Sequence, residues 1–252
     1  MDIWMAFVLG LVQGVAEFLP ISSSGHLLLF RRFFGVEADM LLFDIILHIA
    51  TLCAVVLVFR KKIWQLVCKP FCKTNYCLII ATAITCVMVL IFKDWIDAAM
   101  TYRILPITFL ITAIMLFAVT MIPKKEGDVE YKTGIVAGLA QGIAVIPGIS
   151  RSGSTIAASL YTGVKREEAA EFAFLMSIPI IIASFLFEIV SSGSHSLVAV
   201  PPLALIVGFI TAFVSGIFAI KVMLKIVKNV KLYWFSVYLT ILSIVLMFVF
   251  YL

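Results

Sequence analysis

Charged residues are scarce in this sequence, and their scarcity excludes most water-soluble architectures. Only 13% of the 252 residues are charged, whereas 63% are hydrophobic, and the mean hydropathy is +1.18. A soluble domain of this length needs a far more polar surface. The sequence therefore predicts an all-α polytopic membrane protein, with residues 1–252 forming a single integral membrane domain.

Patterns typical of structural metal sites and of nucleic-acid binding are also missing. The five cysteines include no Cys-x-x-Cys pair, and no histidine accompanies the group Cys68, Cys72 and Cys77, so we expect reduced thiols rather than a zinc site. The net charge of +5 is spread over short connections and is not gathered on one surface. We therefore expect no nucleic-acid partner.

Long apolar runs dominate what remains. Six runs have the length of about 17–25 residues that a helix needs to cross a bilayer. They cover residues 41–59, 76–92, 104–122, 171–190, 201–220 and 232–252. Two further segments, 1–34 and 134–163, are apolar at their ends but broken by Pro, Gly and Ser. Because lipid cannot satisfy non-helical backbone, we predict that each of these two forms a re-entrant helical hairpin.

The two hairpin segments are related by an internal duplication. Residues 10–25 and 138–153 are identical at nine of sixteen positions. The identical pairs are Gly10/Gly138, Leu11/Leu139, Gln13/Gln141, Gly14/Gly142, Ala16/Ala144, Ile21/Ile149, Ser22/Ser150, Ser24/Ser152 and Gly25/Gly153. Three spans follow each hairpin, and an odd number inverts the second half. The sequence therefore predicts an inverted-topology repeat of about 1–122 and about 134–252, an architecture known from transporters.

The first hairpin carries polar groups in apolar surroundings. Gln13 and Glu17 are four residues apart and share one helical face. A buried Glu is either a structural partner or a functional group, and the cost of an ionisable side chain in a membrane favours function. The hydroxyls of residues 22–24 and the Gly25 turn, at a helix start, are typical of an anion site. His26 lies three residues after Ser23, near enough to act as its base or to serve the leaving group.

The second hairpin adds a permanent cation. The segment Ser150-Arg151-Ser152-Gly153-Ser154-Thr155 places a guanidinium and hydroxyls at a second helix start. Arg binds phosphate oxygens in a bidentate way that Lys does not match. The alternative is that Arg151 merely forms a buried ion pair with Glu17. The full set of groups fits phosphoryl transfer, which depends on positioning and charge neutralisation.

Asp44 and His48 also lie four residues apart, in the outer half of the first full span. Two interpretations stay open for them. They either add ligands or second-shell contacts to the site, or they pair with each other.

Two motifs carry a resemblance to a known family. Gln-x-x-x-Glu followed by Pro-x-Ser-Ser-x-Gly-His, with a later Pro-Gly-x-Ser-Arg-Ser-x-x-Thr, resembles the undecaprenyl-diphosphate phosphatases, the bacterial bacitracin-resistance proteins. The resemblance implies hydrolysis of undecaprenyl diphosphate to undecaprenyl phosphate and inorganic phosphate, which recycles the lipid carrier of cell-wall synthesis. It implies a multi-pass protein of the bacterial plasma membrane, with an active site open to the extracytoplasmic side. It also implies a divalent cation, Mg²⁺ or Ca²⁺, and it leaves a homodimer open.

The same resemblance assigns roles to residues of this chain. By motif position the family's catalytic residues fall on Glu17, Ser23, His26 and Arg151. Because Glu17 is the only anionic group among them, we also expect it to be the metal ligand. The substrate-binding positions fall on Gln13, Ser22, Ser24, Gly25, Gly148, Ser150, Ser152 and Thr155. The family has Glu or Gln at the first motif position, and this chain has Gln13. An amide positions a ligand but is not a base, so a mechanism with two carboxylates does not follow here.

The main alternative is a transporter or flippase of a lipid phosphate or another anion. The inverted repeat favours it, but architecture alone is a weak argument for function. The Ser-His pair favours the enzyme, because transport of an anion needs neither a nucleophile nor a base. A phosphatase of the phosphatidic-acid type is excluded, since it requires a His soon after the Ser-Arg pair and no His follows Arg151 at that spacing.

The distribution of Lys and Arg generates the first testable prediction. Fourteen of the nineteen basic residues fall on one side of the predicted topology, and this side is expected to be cytoplasmic. They lie at positions 60, 61, 62, 69, 73, 124, 125, 132, 165, 166, 221, 225, 228 and 231. Both termini are then extracytoplasmic. A C-terminal reporter that works only in the cytoplasm should be inactive; strong activity would contradict both the orientation and the inverted repeat.

Overall fold

The chain is helical throughout the part that the structure describes. The computed structural model describes residues 1–35, 40–99, 101–123, 125–192, 200–228 and 232–251, and these ranges contain no β-strand. The α-helices are α1 (Ile3–Phe18), α2 (Ser23–Phe33), α3 (Leu41–Val58), α4 (Arg60–Cys68), α5 (Lys73–Ile91), α6 (Lys93–Ala99), α7 (Leu105–Thr120), α8 (Tyr131–Ile143), α9 (Arg151–Tyr161), α10 (Arg166–Ser192), α11 (Pro202–Lys228) and α12 (Tyr233–Tyr251). A 3₁₀ turn, Tyr102–Ile104, precedes α7. The predicted all-α class is confirmed.

Five helical segments in the described ranges are long and apolar enough to cross a membrane. They are Lys73–Ile91, Tyr102–Thr120, Arg166–Phe187, Pro202–Lys228 and Tyr233–Tyr251. A sixth is reached if Leu42–Val58 and Arg60–Cys68, which meet at a bend of 76°, count as one broken span. The prediction of a multi-pass membrane protein is confirmed at this level.

Several helices run beyond the predicted spans. Helix α10 begins at Arg166 and not near 171, α11 continues to Lys228 and not to 220, and α4 occupies the basic stretch after the first span. Hydropathy reports only the part of a helix that prefers lipid. Backbone hydrogen bonding continues into the interfacial region, where Lys and Arg side chains reach water.

The break between α1 and α2 follows from local sequence. Leu19 is extended (φ −77°, ψ 146°) because the ring of Pro20 disfavours helical backbone at the preceding residue. Ser22 then caps α2, with its Oγ accepting from the Gly25 amide at 3.3 Å. The cap satisfies one of the amides that every helix start leaves without a partner.

The break between α8 and α9 is built in the same way. Pro147 and Gly148 interrupt the chain, and Ser150 Oγ accepts from the Gly153 amide at 3.1 Å. The capping serines and capped glycines are the duplicated pairs Ser22/Ser150 and Gly25/Gly153. The duplicated sequence thus forms the same motif twice.

The two ends of the second helical hairpin lie beside each other. In the second hairpin the hydroxyls of Thr133, in α8, and Thr162, just after α9, are hydrogen-bonded at 2.9 Å. In the first, Met5 of α1 and Phe30 of α2 pack against one apolar cluster. The chain therefore enters and leaves the second hairpin at neighbouring points, and both arms of the first hairpin border one apolar cluster.

Small residues allow each hairpin to pack closely on a long helix. A Cβ added to Gly10 of α1 would lie 2.6 Å from the Gly208 carbonyl oxygen of α11, and one added to Gly138 of α8 would lie 2.8 Å from the Ala81 carbonyl oxygen of α5. Such contacts are typical of helix packing in lipid, where close backbone approach replaces the hydrophobic effect. Gly10 and Gly138 are also a duplicated pair.

Candidate active site

The loops of the two hairpins meet inside the helix bundle. The Gly148 amide donates to Ser22 Oγ at 3.1 Å, and Ser152 Oγ donates to the Leu19 carbonyl at 3.1 Å. Both serines are buried, so the bonds are shielded from water. The loops are therefore one structural unit, although 126 residues separate Ser22 from Gly148.

Glycine makes this close approach possible, and α7 secures it. A Cβ on Gly25 would lie 2.9 Å from Gly148 Cα, and Gly148 itself adopts a φ of +90°, which L side chains rarely tolerate. Thr112 of α7 donates to the Gly148 carbonyl at 2.8 Å and accepts from the Ser150 amide at 3.2 Å. Gly25 and Gly148, predicted to bind substrate, act here by letting the two loops touch.

Glu17 is the hub of the polar contacts. Its side chain is only 4% exposed. Ser23 Oγ donates to Glu17 Oε2 at 2.6 Å, and Gln13 Nε2 donates to the same oxygen at 3.2 Å. The predicted face shared by Gln13 and Glu17 is confirmed by this contact. A carboxylate so close to the Ser23 hydroxyl is placed to accept its proton.

Arg151 joins the second hairpin to this carboxylate. Its Nη1 lies 3.4 Å from Glu17 Oε1, and the Arg151 side chain is 30% exposed. Nη1 nevertheless makes no hydrogen bond of acceptable geometry. The guanidinium thus neutralises Glu17, and the partly exposed Arg151 side chain also lines the cavities described below.

Two cavities meet at Arg151, and one of them also reaches Ser23. One, of about 320 Å³, reaches Arg31 and Asp44. The other, of about 360 Å³, runs from Ser23 past apolar side chains of α5, α8 and α10 to Phe187. Both volumes lie within the usual range of small-molecule sites. The residues that line both are Ser24, His48, Arg151 and Ser184.

His26 is placed differently from the sequence expectation. Its Nδ1 lies 2.8 Å from the Ser22 carbonyl oxygen, and its Nε2 lies 2.7 Å from Tyr238 Oη on α12. Both ring nitrogens are therefore engaged away from Ser23. The proton acceptor that the structure places on Ser23 is Glu17.

Asp44 and His48 do not pair through their side chains. Asp44 forms an ion pair with Arg31, and His48 Nδ1 lies 2.8 Å from the backbone carbonyl of Asp44. That carbonyl can only accept, so Nδ1 carries the proton. His48 also lines both cavities. This position agrees with the interpretation in which His48 adds a contact to the site.

The remaining predicted positions support the second loop. Ser150 caps α9, Ser152 reaches the first loop, and Thr155 Oγ1 donates to the Arg151 carbonyl at 2.9 Å. Thr155 is 1% exposed. In the structure these side chains hold the start of α9, from which Arg151 extends.

Comparison with known proteins agrees with this arrangement. The sequence model of the family described as bacitracin resistance protein BacA matches residues 6–245. The chain belongs to this family.

Relatives in the BacA family include three proteins named undecaprenyl-diphosphatase. The one from Treponema denticola is 48% identical, with 95% of this chain and 94% of the relative covered. The one from Carboxydothermus hydrogenoformans is 39% identical (98% and 97% covered), and the one from Oceanobacillus iheyensis is 37% identical (96% and 94% covered). The similarity therefore spans nearly the full length of each chain.

Sequence reasoning missed several residues of the site. Thr112, Tyr238 and Thr85 are single polar residues in apolar helices, and no motif distinguishes them. Gln141 carried a signal, because it is the duplicated partner of Gln13. It lines the larger cavity, donates to Thr85 Oγ1 at 3.2 Å and keeps a buried amide oxygen without a partner.

The oxygen atoms near Glu17 are the candidate ligands for a metal ion. Among the described residues, no group of three or more His, Cys, Asp or Glu side chains is placed to bind a metal. Besides Glu17, Gln13 offers a buried amide oxygen that has no hydrogen-bond partner. Mg²⁺ at phosphate sites takes only one or two protein carboxylates and several other oxygens. The donor set fits a divalent cation that arrives with a diphosphate.

The position of Arg151 in the walls of both cavities generates the second prediction. Arg151→Lys keeps the charge but loses the planar pair of donors, so kcat/KM for diphosphate hydrolysis should fall by the equivalent of about 2–4 kcal/mol, typical of a lost preorganised donor. The matched control is Arg60→Lys, since Arg60 is exposed and its Nη1 donates only to the Leu57 carbonyl. Near-normal turnover of Arg151→Lys would mean that Arg151 is structural.

Proposed function

We propose that this chain hydrolyses undecaprenyl diphosphate to undecaprenyl phosphate and inorganic phosphate, as the names of its BacA-family relatives indicate. The reaction recycles the lipid carrier of cell-wall synthesis, and the family description connects it with bacitracin resistance. One observation carries the proposal: the buried Glu17 carboxylate contacts both Ser23 and Arg151, and those two side chains line the larger cavity. Transport of an anion would not need a hydroxyl hydrogen-bonded to a buried carboxylate.

In the first chemical step Ser23 is the nucleophile. Its Oγ forms a bond to the terminal phosphorus, and its proton passes to Glu17 Oε2, 2.6 Å away. The anhydride P–O bond breaks, and undecaprenyl phosphate leaves with the bonding electron pair. Arg151 stabilises the charge on the phosphoryl oxygens, which is the main contribution that a protein makes to phosphoryl transfer.

In the second step water hydrolyses the phosphoserine. A water oxygen bonds to phosphorus, the bond from phosphorus to Ser23 Oγ breaks, and Glu17 returns its proton to that oxygen. Inorganic phosphate and one proton are released. The amides of Ser23 and Ser24, at the start of α2, provide the positive end of a helix dipole near the phosphate.

A divalent cation, Mg²⁺ or Ca²⁺, is part of the proposal. The Glu17 carboxylate and the Gln13 amide oxygen would hold it together with substrate phosphates. When bound, it neutralises negative charge on the diphosphate. This role does not require the second carboxylate that Gln13 replaces.

The cavities suggest how the lipid substrate lies. The wall beyond Ser23 in the larger cavity is mainly apolar, with Val89, Ile149, Ile180 and Phe187 among its residues. We place the first isoprene units there. The smaller cavity also has many apolar residues but ends at the charged Arg31–Asp44 pair, and we place the route by which phosphate leaves the site there.

We further propose six transmembrane helices and two re-entrant hairpins in an inverted-topology repeat. Helices α2, α8 and α9, of 11, 13 and 11 residues, are at 1.5 Å per residue shorter than a hydrocarbon core of about 30 Å. The neighbouring ends of the second hairpin support re-entry. Ion pairs among the described residues also form two groups at opposite ends of the helices. Lys62–Glu171 and Lys228–Glu167 lie at one end, and Arg31–Asp44 lies at the other.

This topology opens the site to the extracytoplasmic side of the bacterial plasma membrane. Helix α2 ends at Phe33, beside the Arg31–Asp44 pair, on the side with few basic residues. The smaller cavity reaches that pair.

A homodimer remains an additional expectation, which the mass of the detergent-solubilised protein would test.

The third prediction tests the reaction itself. Purified protein should release inorganic phosphate from undecaprenyl diphosphate, and a chelator should suppress the release. Undecaprenyl monophosphate is the matched control and should release none. Binding of the diphosphate without phosphate release would favour the transporter alternative.

The fourth prediction separates Glu17 from Gln13. Glu17→Gln removes the only anionic group of the proposed site while keeping its shape, so phosphate release should be abolished at every cation concentration. Gln13→Glu should remain active and reach half-maximal rate at a lower cation concentration, because a second carboxylate adds a hard ligand. The measurement is phosphate release against Mg²⁺ concentration. A Glu17→Gln variant that keeps its metal response would place the cation elsewhere.

A further inference from the structure

His26 is held by hydrogen bonds at both ring nitrogens and by two aromatic rings. Its Nδ1 faces the Ser22 carbonyl at 2.8 Å, and its Nε2 faces Tyr238 Oη at 2.7 Å. The ring stacks on Tyr238 with centroids 5.8 Å apart and lies 5.1 Å from the Phe109 ring. Only 5% of His26 is exposed. These two hydrogen bonds and two ring contacts therefore hold the His26 ring in one orientation.

These partners determine which nitrogen carries the proton. A backbone carbonyl can only accept, so Nδ1 must donate to Ser22. In the neutral imidazole Nε2 is then an acceptor, and the Tyr238 hydroxyl donates to it. In a protonated imidazolium both nitrogens donate and no lone pair is left. In neither form does His26 have a free lone pair for the Ser23 proton.

The contact on Ser22 acts at a strained point of the chain. Ser22 has a φ of +69°, the one positive value among the described residues other than glycine, in a region that costs free energy for an L side chain. This backbone turns the Ser22 carbonyl toward His26, while Ser22 Oγ accepts from the amides of Gly25 and Gly148. Ser22 is thus the residue at which the two hairpin loops are fixed.

The walls of the two cavities include hydroxyl-bearing residues of this loop but not the His26 ring. The hydroxyl-bearing residues Ser22, Ser23 and Ser24 line the larger cavity, whereas His26 is among the lining residues of neither described cavity at the site. Tyr238 belongs to α12, which packs on α7 through bonds such as Ser236 Oγ to the Ala113 carbonyl at 2.7 Å. The His26–Tyr238 contact therefore connects the loop to the rigid α7–α12 pair.

We propose that His26 and Tyr238 are positioning residues, which hold the Ser22 peptide in its left-handed conformation and so aim Ser23 Oγ between Glu17 and the substrate phosphorus. The proposal rests on the proposed phosphatase function for its kinetic consequence. It assigns Tyr238 a role in the reaction, and it makes proton transfer the task of Glu17 alone. His26 acts through the hydrogen bond that it donates, and not through a proton that it exchanges.

Three variants separate positioning from acid–base catalysis. His26→Asn replaces the ring by an amide N–H that can still donate to the carbonyl four residues earlier, but it has no titratable proton. His26→Ala removes the donor. Tyr238→Phe removes only the hydroxyl. The matched control is Tyr251→Phe, because Tyr251 lies on the same helix and its hydroxyl also makes a 2.7 Å bond, to the Arg103 carbonyl far from the site.

The expected result is rescue by the conservative variant. His26→Ala should lower kcat about 100-fold, as misplacement of a reacting group by about 1 Å does. His26→Asn should recover most of that loss, and Tyr238→Phe should lower kcat several-fold with little change in KM. Tyr251→Phe should match the parent protein. If His26→Asn is as inactive as His26→Ala although it remains folded, or if Tyr238→Phe is fully active, the proposal is wrong.

A spectroscopic readout tests the geometry without reference to activity. In ¹⁵N-histidine NMR of the full-length protein, the His26 signals are identified by their loss in His26→Asn, which distinguishes them from those of His48 and His195. We expect the tautomer with the proton on Nδ1, and a shift of the Nε2 resonance in Tyr238→Phe. The opposite tautomer would overturn the positioning role. If the parent protein releases no phosphate, the proposed function fails, and the NMR result still decides the positioning claim.

Discussion

The constraint on which this structure depends is that lipid offers no hydrogen bonds. A loop at membrane depth must therefore find every backbone partner within the protein. Ser22 and Ser150 cap the helices that follow their loops, Thr112 serves two backbone groups of the second loop, and Ser152 serves the Leu19 carbonyl of the first. Most serines of the two motifs therefore satisfy backbone groups of the loops, whatever part they also take in catalysis.

The same constraint explains how the charges are arranged. A carboxylate buried in such surroundings is stable only when it is paired and hydrogen-bonded. Glu17 obtains these partners from both halves of the chain, namely Ser23 and Gln13 from the first and Arg151 from the second. The groups that stabilise the carboxylate are also those that a phosphoryl transfer needs. The contacts that join the two hairpins at Glu17 are consequently the same contacts that build the site.

Much of the fold was predictable because the bilayer imposes length and hydropathy directly. The helical class, the broken hairpins and their duplication follow from apolar runs and from repeated Gly, Ser and Pro. The contact of Gln13 with Glu17 follows from helical spacing. These are local or repeated patterns, which a single sequence records.

Contacts between distant segments were not predictable. Spacing alone suggested that His26 serves Ser23, but Tyr238, 212 residues away, and the Ser22 carbonyl occupy its two nitrogens. Asp44 was expected either to contribute to the site or to pair with His48, and its ion pair with Arg31 at the end of the smaller cavity had no signal in the sequence. The bend of 76° between α3 and α4 also leaves no clear signal, since an apolar run is followed by basic residues whether or not the helix bends.

The central claim is that the Ser23 hydroxyl, activated by Glu17, attacks the diphosphate. The most direct measurement compares single-turnover phosphate release by Ser23→Ala and Ser24→Ala. Both changes remove one hydroxyl from the same loop, and both residues line the larger cavity, but the hydroxyl that the structure places on Glu17 is that of Ser23. We predict a loss of about 1,000-fold or more for Ser23→Ala, as expected when a nucleophile is removed, and a loss of about tenfold or less for Ser24→Ala. Equal rates for the two variants would contradict the account and would assign the attack to water.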